Sequence, residues 1–185
     1  MEAIQPEVRT DAPVLEVKNL KKYFPLQGKG FLRRTVGYIK AVDDVSFEVQ
    51  KGETVGVIGE SGCGKTTLGR CVSFLYEKTD GEIIVRSGQQ EFHLDELGRD
   101  NNSEFRKIVQ VIFQDPFSSL NPRMSVLRSV GEPLLVNGIA SGRELEERVA
   151  DMIRRVGLNV RHLQRFPHSF SGGQRQRICI ARALV

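Results

Sequence analysis

The sequence predicts an α/β fold in three parts: a small N-terminal antiparallel β layer, a strand–glycine loop–helix unit, and a helical segment. Three observations predict it. Gly59-Glu60-Ser61-Gly62-Cys63-Gly64-Lys65-Thr66-Thr67 obeys the spacing G-x-x-x-x-G-K-[ST], with an apolar run before it and a helical run after it. Val45-Ser46-Phe47-Glu48-Val49 alternates apolar and polar, the pattern of a half-buried strand. Leu145, Val149, Met152, Ile153 and Val156 recur at helical spacing with charged residues between them.

Taken in order, residues 1–12 are polar and read as a loose terminus. Val14-Leu15-Glu16-Val17 reads as a first strand, and residues 25–38, with Gly28, Gly30, Gly37 and a basic cluster, as a long loop. After the Val45–Val49 strand, Lys51-Gly52-Glu53 turns the chain into Thr54-Val55-Gly56-Val57-Ile58, whose β-branched run reads as a buried strand. Leu68 to Leu75 reads as the helix after the loop. Thr79-Asp80-Gly81 is a turn, Glu82–Val85 a strand, and Phe92–Leu94 a strand returning beside it. Asp100–Ser103 is a loop that can cap a short helix through Lys107, and Ile108–Phe113 reads as a further strand. Ser125 caps a helix that Gly131 and Pro133 interrupt or bend, and Ser141 opens a second one that Gly157 stops. A last helix is expected from Arg175 to Leu184.

The glycine loop carries the chemistry. Gly59, Gly62 and Gly64 permit turns that a Cβ would obstruct, so successive N–H groups converge on one concavity suited to anionic oxygens. The following helix adds its positive end. Lys65 reaches terminal phosphates as a point charge, and the Thr66 hydroxyl can ligate Mg²⁺. An ordinary glycine-rich turn would need none of this, and a chance match in a chain of this length is on the order of one in a thousand.

Composition narrows the setting. The 185 residues suffice for one domain with a core, and no apolar run approaches the roughly 20 residues of a membrane span. The N-terminus lacks a secretory pattern. Cys63, Cys71 and Cys179 show no C-x-x-C spacing, which points to a reducing compartment and no structural zinc. The net charge is +4, with 27 basic and 23 acidic residues interspersed. Lys29-Gly30-Phe31-Leu32-Arg33-Arg34 is the one local basic cluster and reads as a solvated loop, so nucleic acid is not an expected partner.

A second motif is Ser171-Gly172-Gly173-Gln174. S-x-x-Q is a capping box, but capping alone gives no reason for two glycines, which leave bare N–H groups open to an anion. The phosphate loop, Gln114 after an apolar run, and Ser171 to Arg177 occur in the order of Walker A, Q-loop and signature, and the chain resembles an ABC-type ATPase. Lys40–Phe47, Gly59–Lys65 and Phe113–Met124 are most similar to the ATP-binding subunits of bacterial oligopeptide and dipeptide importers. The resemblance runs from about residue 13 to the end and implies a P-loop NTPase core with a helical subdomain near 117–170 before the signature. Phe170 departs from the family's usual leucine but stays apolar.

That resemblance implies ATP and Mg²⁺ as ligands. Gly59, Glu60, Ser61, Gly62, Cys63, Gly64, Lys65, Thr66 and Thr67 would hold the phosphates, with Thr66 and Gln114 at the metal. Lys65 and Gln114 would act in catalysis, and Gln114 would sense the γ-phosphate. Phe24, with Tyr23 its neighbouring candidate, would stack on adenine beside Val42; a loop-anchoring role for Phe24 is equally open. Ser171, Gly172, Gly173 and Gln174 would touch ATP held by an opposing subunit, of the same or another chain. Transmembrane permease subunits would be the other partners, at the cytoplasmic membrane face, with no contact to cargo. None of His93, His162 and His168 matches the family's switch histidine, and Leu94-Asp95-Glu96 lies in a polar context unlike its Walker B strand. Without that strand's Asp-Glu, these 185 residues alone are expected to hydrolyse little ATP and to expose Val55, Val57 and Ile58. An ATP-binding fragment or pseudo-subunit is the alternative reading. A soluble ABC ATPase of DNA repair or translation fits less well, given the segment after Gln114 and the single motif set.

Overall fold

The computed structural model describes residues 12–28, 34–98 and 102–185. The basic cluster at 29–33, most of the polar terminus, and Asp100 and Asn101 of the expected capping loop lie outside these residues. The chain divides into two compact units, one ending at Phe105 and the other beginning at Arg106. No helix of the described residues is long and apolar enough to cross a membrane.

The first unit is built on an antiparallel sheet of order β2-β1-β3-β4. Strand β1 (Leu15–Gln27) pairs with β2 (Thr35–Val49) on one side and β3 (Asp80–Ser87) on the other, and β4 (Gln90–His93) completes it beside β3. The strands form on β-branched and apolar runs: Val17, Leu20 and the consecutive Ile83, Ile84 and Val85 are buried while Lys18, Asn19 and Glu82 face out. Phe105, 1% exposed, closes this core edge-on to Phe74 and Phe92. Helix α1 (Lys65–Val72) buries Leu68 and Cys71, and burial pushes the Cys71 thiol upward.

The sheet corrects the long loop expected at 25–38. The hairpin strands run on to Gln27 and restart at Thr35, with Phe24 opposite Ile39 and Leu26 opposite Gly37. Backbone pairing, which composition does not report, carries β2 through Gly37. The expected strands at Thr54–Ile58 and Ile108–Phe113 are also corrected. Ile108 ends helix α2 (Ser103–Ile108), and neither 109–113 nor 54–58 joins a sheet among the described residues. A strand needs neighbours to take its N–H and C=O groups, and none among the described residues pairs with either segment. Val55, Val57 and Ile58 are exposed, as expected.

The second unit is helical. Helix α3 (Pro116–Ser119) starts on Asp115, whose carboxylate accepts from the Phe117 N–H at 2.9 Å. Helix α4 (Val126–Val136) is capped by Ser125 and runs unbroken through Gly131 and Pro133. Gly131 is a packing position: a Cβ there would lie 2.7 Å from Cδ2 of Leu145. Helix α5 (Gly142–Arg155) presents Val149 and Ile153 inward, and Gly157 ends it at φ +73°. Helix α6 (Gly172–Leu184) begins three residues earlier than expected, so both signature glycines sit in its first turn. Its Ile178 and Ala181, both 0% exposed, meet Val130, Leu134, Val149, Ile153 and Phe170 in one apolar core. Full burial of such side chains stabilises by about 1.5–3 kcal/mol each.

Candidate functional site

The glycine loop is built between Ile58 and α1. Its shape rests on Gly64, the N-cap of α1, at φ +100°. A Cβ at Gly64 would fall 2.0 Å from the Ala41 carbonyl oxygen, so β2 backbone passes directly against the loop. Only glycine fits both the left-handed conformation and that approach. The buried Val42, 5% exposed, stands next to this contact. The sequence therefore predicts the glycine, while the reason for it, the Ala41 carbonyl, comes from a residue more than a helix length away in the chain.

Within the loop, Lys65 folds back over its own turn. Its Nζ donates to the carbonyls of Gly59 at 2.8 Å and Glu60 at 2.7 Å, and approaches Cys63 Sγ at 3.6 Å. The loop thus carries an ammonium with only neutral acceptors and no carboxylate partner among the described residues. No side chain caps α1, and its first turn holds no acidic residue. The uncapped N-terminus of α1 and a lysine thus lie together on an exposed glycine loop, a combination whose chemistry suits an anion. Glu60, Ser61, Gly62, Cys63 and Thr66 are exposed around it, with Gly62 at φ +83°. The Thr66 hydroxyl is open as a metal ligand, and the described residues hold no group of His, Cys, Asp or Glu that could bind a metal by itself. That donor set suits Mg²⁺ held largely through phosphate and water.

The aromatic candidates are held differently. Tyr23 donates its hydroxyl to Asp43, and Lys40 donates to the same carboxylate at 3.0 Å while lying over the Tyr23 ring. The tyrosine hydroxyl and then Lys40 hold the Asp43 carboxyl below its usual range. Phe24 packs edge-on to Tyr76, whose hydroxyl accepts from Arg70 of α1 at 2.6 Å, and Lys22 lies over the Phe24 ring. Phe24 is therefore tied to the helix of the phosphate loop through Tyr76 and Arg70. Sequence reasoning singled out neither of these two residues; Arg70 at i+5 from Lys65 was the available signal.

In the second unit, Gln114 is exposed and precedes the Asp115 cap. Ser171 and Gln174 form the reciprocal capping box, with Gln174 N–H donating to Ser171 Oγ at 3.4 Å and Ser171 N–H to Gln174 Oε1 at 3.1 Å. Gly172 and Gly173 are exposed, and nothing lies within 4 Å of a Cβ placed on either. Two arginines one heptad apart on α6 connect this helix to α3: Arg175 lies over the Phe117 ring at 4.2 Å, and Arg182 donates to the Ser119 carbonyl at 2.8 Å. The sequence reading missed this connection, though the seven-residue spacing of Arg175 and Arg182 put them on one face. Of the histidines, His93 pairs with Glu91, His162 lies edge-on to Phe170, and His168 stacks on Phe166.

Comparison with known proteins gives concordant findings. The family model described as ABC transporter matches residues 42–185. An oligopeptide transport ATP-binding protein, AppF of Bacillus subtilis, is 48% identical over 172 residues, covering 93% of this chain and 51% of its own length. A glutathione import ATP-binding protein, GsiA of Escherichia coli, is 47% identical over 181 residues, 98% of this chain and 28% of its own. The chain thus spans about half or less of the curated relatives it matches. Among solved structures, the dimeric post-hydrolysis ATP-binding cassette MJ0796, bound to ADP and Pi, is similar with a TM-score of 0.75 and 29% identity, over 92% of this chain and 68% of that one.

Proposed function

The chain belongs to the ABC transporter family, and from that premise we propose that it is the ATP-binding, energy-coupling part of an importer for oligopeptides or dipeptides. The observation that carries the reading is the Lys65 ammonium, held by the neutral Gly59 and Glu60 carbonyls and Cys63 Sγ with no carboxylate partner among the described residues, at the uncapped start of α1. Phosphate oxygens offer that ammonium a charged acceptor in place of two neutral ones, a gain of roughly 1 kcal/mol or more per contact.

The residue roles are those that membership of the family implies. The N–H groups from Gly59 to Thr67 and Lys65 would bind the phosphates, Thr66 would ligate Mg²⁺, and Gln114 is the further ligand the family implies. Held there, Mg²⁺ would supply neutralisation of phosphate charge. Phe24 and Val42 border the adenine side. Ser171, Gly172, Gly173 and Gln174 of one subunit close over the ATP of another, in the same or a related chain. Their capping box fixes the turn while leaving the glycine amides exposed. Gln114 would sense the γ-phosphate and pass its state to permease subunits at the cytoplasmic membrane face; the Arg175 and Arg182 contacts, which tie α3 to the signature helix, support a coupled movement of the two.

Equilibrium binding of ATP–Mg²⁺ and of adenosine to the full chain tests the reading. Phosphate contacts predict that ATP binds at least about 100-fold more tightly than adenosine, from two or more charge-assisted bonds. Equal affinity for the two, or no binding of either, would overturn it.

A further inference from the structure

Phe24 stands close to the phosphate loop along the sheet. Gly64 abuts the Ala41 carbonyl, Val42 follows, and Lys22 is the β1 partner of Val42. Phe24 lies two residues beyond Lys22, about 7 Å along the strand, a separation that a ribose bridges. Its ring is half-buried, whereas Phe105, which does anchor a core, is 1% exposed. Lys22 lies over one face of the Phe24 ring, 4.9 Å from its centroid, and Tyr76 meets the ring edge-on at 5.8 Å. A flat ligand would take the opposite face.

The segment leaving α1 holds that ring in place, and Arg70 is the link. The Arg70 carbonyl accepts from the N–H groups of Leu75 and Tyr76 at 2.8 and 3.0 Å, and its Nη1 donates to the Tyr76 hydroxyl at 2.6 Å. The guanidinium also lies 5.2 Å from the Tyr76 ring centroid. Arg70 has no carboxylate partner among the described residues, so its contacts go to the tyrosine. Thr79 fastens the same segment to β1. Its N–H donates to the Lys21 carbonyl at 2.7 Å, and its hydroxyl accepts from the Tyr23 N–H at 2.8 Å. Tyr76 is thus tied on one side to α1 and followed three residues on by a second tie to β1, which makes it a strut between the phosphate-loop helix and Phe24.

We propose that Tyr76 and Arg70 are positioning residues for the nucleotide base. They hold the Phe24 ring at a fixed offset from the phosphate loop, so base and phosphates meet one preorganised site. The inference rests on the nucleotide reading above and deepens it, by giving the base end a physical register to the phosphate end. A Phe24 that only anchored its loop would need neither a half-exposed ring nor an arginine bond to the hydroxyl of its neighbour. Arg70 and Tyr76 make no hydrogen bond to residues 59–64 among the described residues, so their loss should be felt at the base and not at the phosphates.

Calorimetric titration of the full chain with ATP–Mg²⁺ and with tripolyphosphate–Mg²⁺ separates the two ends, because only ATP carries a base. Tyr76→Leu should weaken ATP about twofold to tenfold and leave tripolyphosphate unchanged. Tyr76→Phe, which keeps the ring and loses only the hydroxyl bond, should weaken ATP by less, again without effect on tripolyphosphate. Phe24→Leu should cost ATP at least as much as Tyr76→Leu, and adding Tyr76→Leu to it should cause no further loss, because the ring being positioned is gone. A general structural role would weaken both probes together, or weaken ATP equally with and without Phe24. Either result would overturn the proposal, as would ATP affinity unchanged in Tyr76→Leu or in Phe24→Leu. If Tyr76→Leu fails to fold, Tyr76→Phe decides, and an unchanged ratio of the two affinities overturns the proposal. These outcomes leave the nucleotide reading standing, whereas a parent chain that binds neither probe would overturn that reading and this inference with it.

Discussion

Helices α1 and α6 both begin on the glycines of a motif, and they begin differently. Helix α1 starts from Gly64 in the left-handed region, without a side-chain cap, and Lys65 turns back over its entrance. Helix α6 starts from Ser171 in extended conformation, with a reciprocal box that satisfies two amides from within the chain. The first arrangement leaves amide donors and a cation for an incoming ligand. The second has already spent part of its donor capacity on itself and keeps only the exposed Gly172 and Gly173 turn open. The difference teaches that a glycine-rich helix start is a primary anion site only where backbone strain and a cation accompany it. A capped start can add contacts to an anion that something else holds.

The largest effect should come from Gly64→Ala. The left-handed φ alone costs about 1–2 kcal/mol, and the Ala41 carbonyl 2.0 Å from the new Cβ adds more. Thermal denaturation should show a clear loss of stability, and ATP binding should disappear. Gly173→Ala, with open space at its Cβ, should leave stability within about 0.5 kcal/mol of the parent. Similar losses in the two variants would break the comparison.

Lys65→Ala comes next. Removal of a charge-assisted phosphate contact should weaken ATP by about tenfold to a hundredfold in titration calorimetry. The thermal midpoint should barely move, because the lysine's present partners are two carbonyls of an exposed loop. A large fall in the midpoint would make the lysine a structural residue instead. Ser171→Ala should reverse this pattern: about 1 kcal/mol of stability lost on urea denaturation, and ATP affinity of the single chain unchanged. Weakened ATP binding by Ser171→Ala in the monomer would place the signature in the same chain's site.

The smallest effect concerns a third helix start. The Asp115 carboxyl is held below its ordinary value by the Phe117 N–H and then by Ser118. A carboxyl depressed in the folded state contributes stability above its unfolded pKa and loses it as pH falls through the folded one. α3 should therefore loosen only at acid pH, below the ordinary Asp range, and Asp115→Asn should remove that dependence in an NMR titration. Titration of Asp115 at or above the ordinary value would remove the capping argument.

The legibility of the fold in the sequence differs by region for physical reasons. The phosphate loop and the capping box are local, and every residue they need lies within nine positions, so spacing suffices. The Leu145–Val156 stripe was legible for the same reason. Strand pairing is not local. Ile83 and Ile58 both sit in β-branched runs, yet the first is 2% exposed between β1 and β4 and the second is 95% exposed. Propensity describes a residue's fit to a pleated surface and cannot supply the neighbouring strand. Pro133 does not interrupt α4, because packing of α4 against Leu145 and Val149 outweighs one lost backbone bond. At the site, the Ala41 carbonyl, the Phe24–Tyr76–Arg70 chain and the Arg175 and Arg182 contacts all join residues distant in sequence, and no spacing rule reports them.

The most direct test is the amide NMR spectrum of the full chain during titration with ATP–Mg²⁺ at concentrations where it stays monomeric. The account predicts the largest shifts at Gly62, Gly64, Lys65 and Thr66, with Gly172 and Gly173 unmoved until a second chain is engaged. Shifts that appear first at Gly172 and Gly173, or none at the glycine loop before α1, would contradict it.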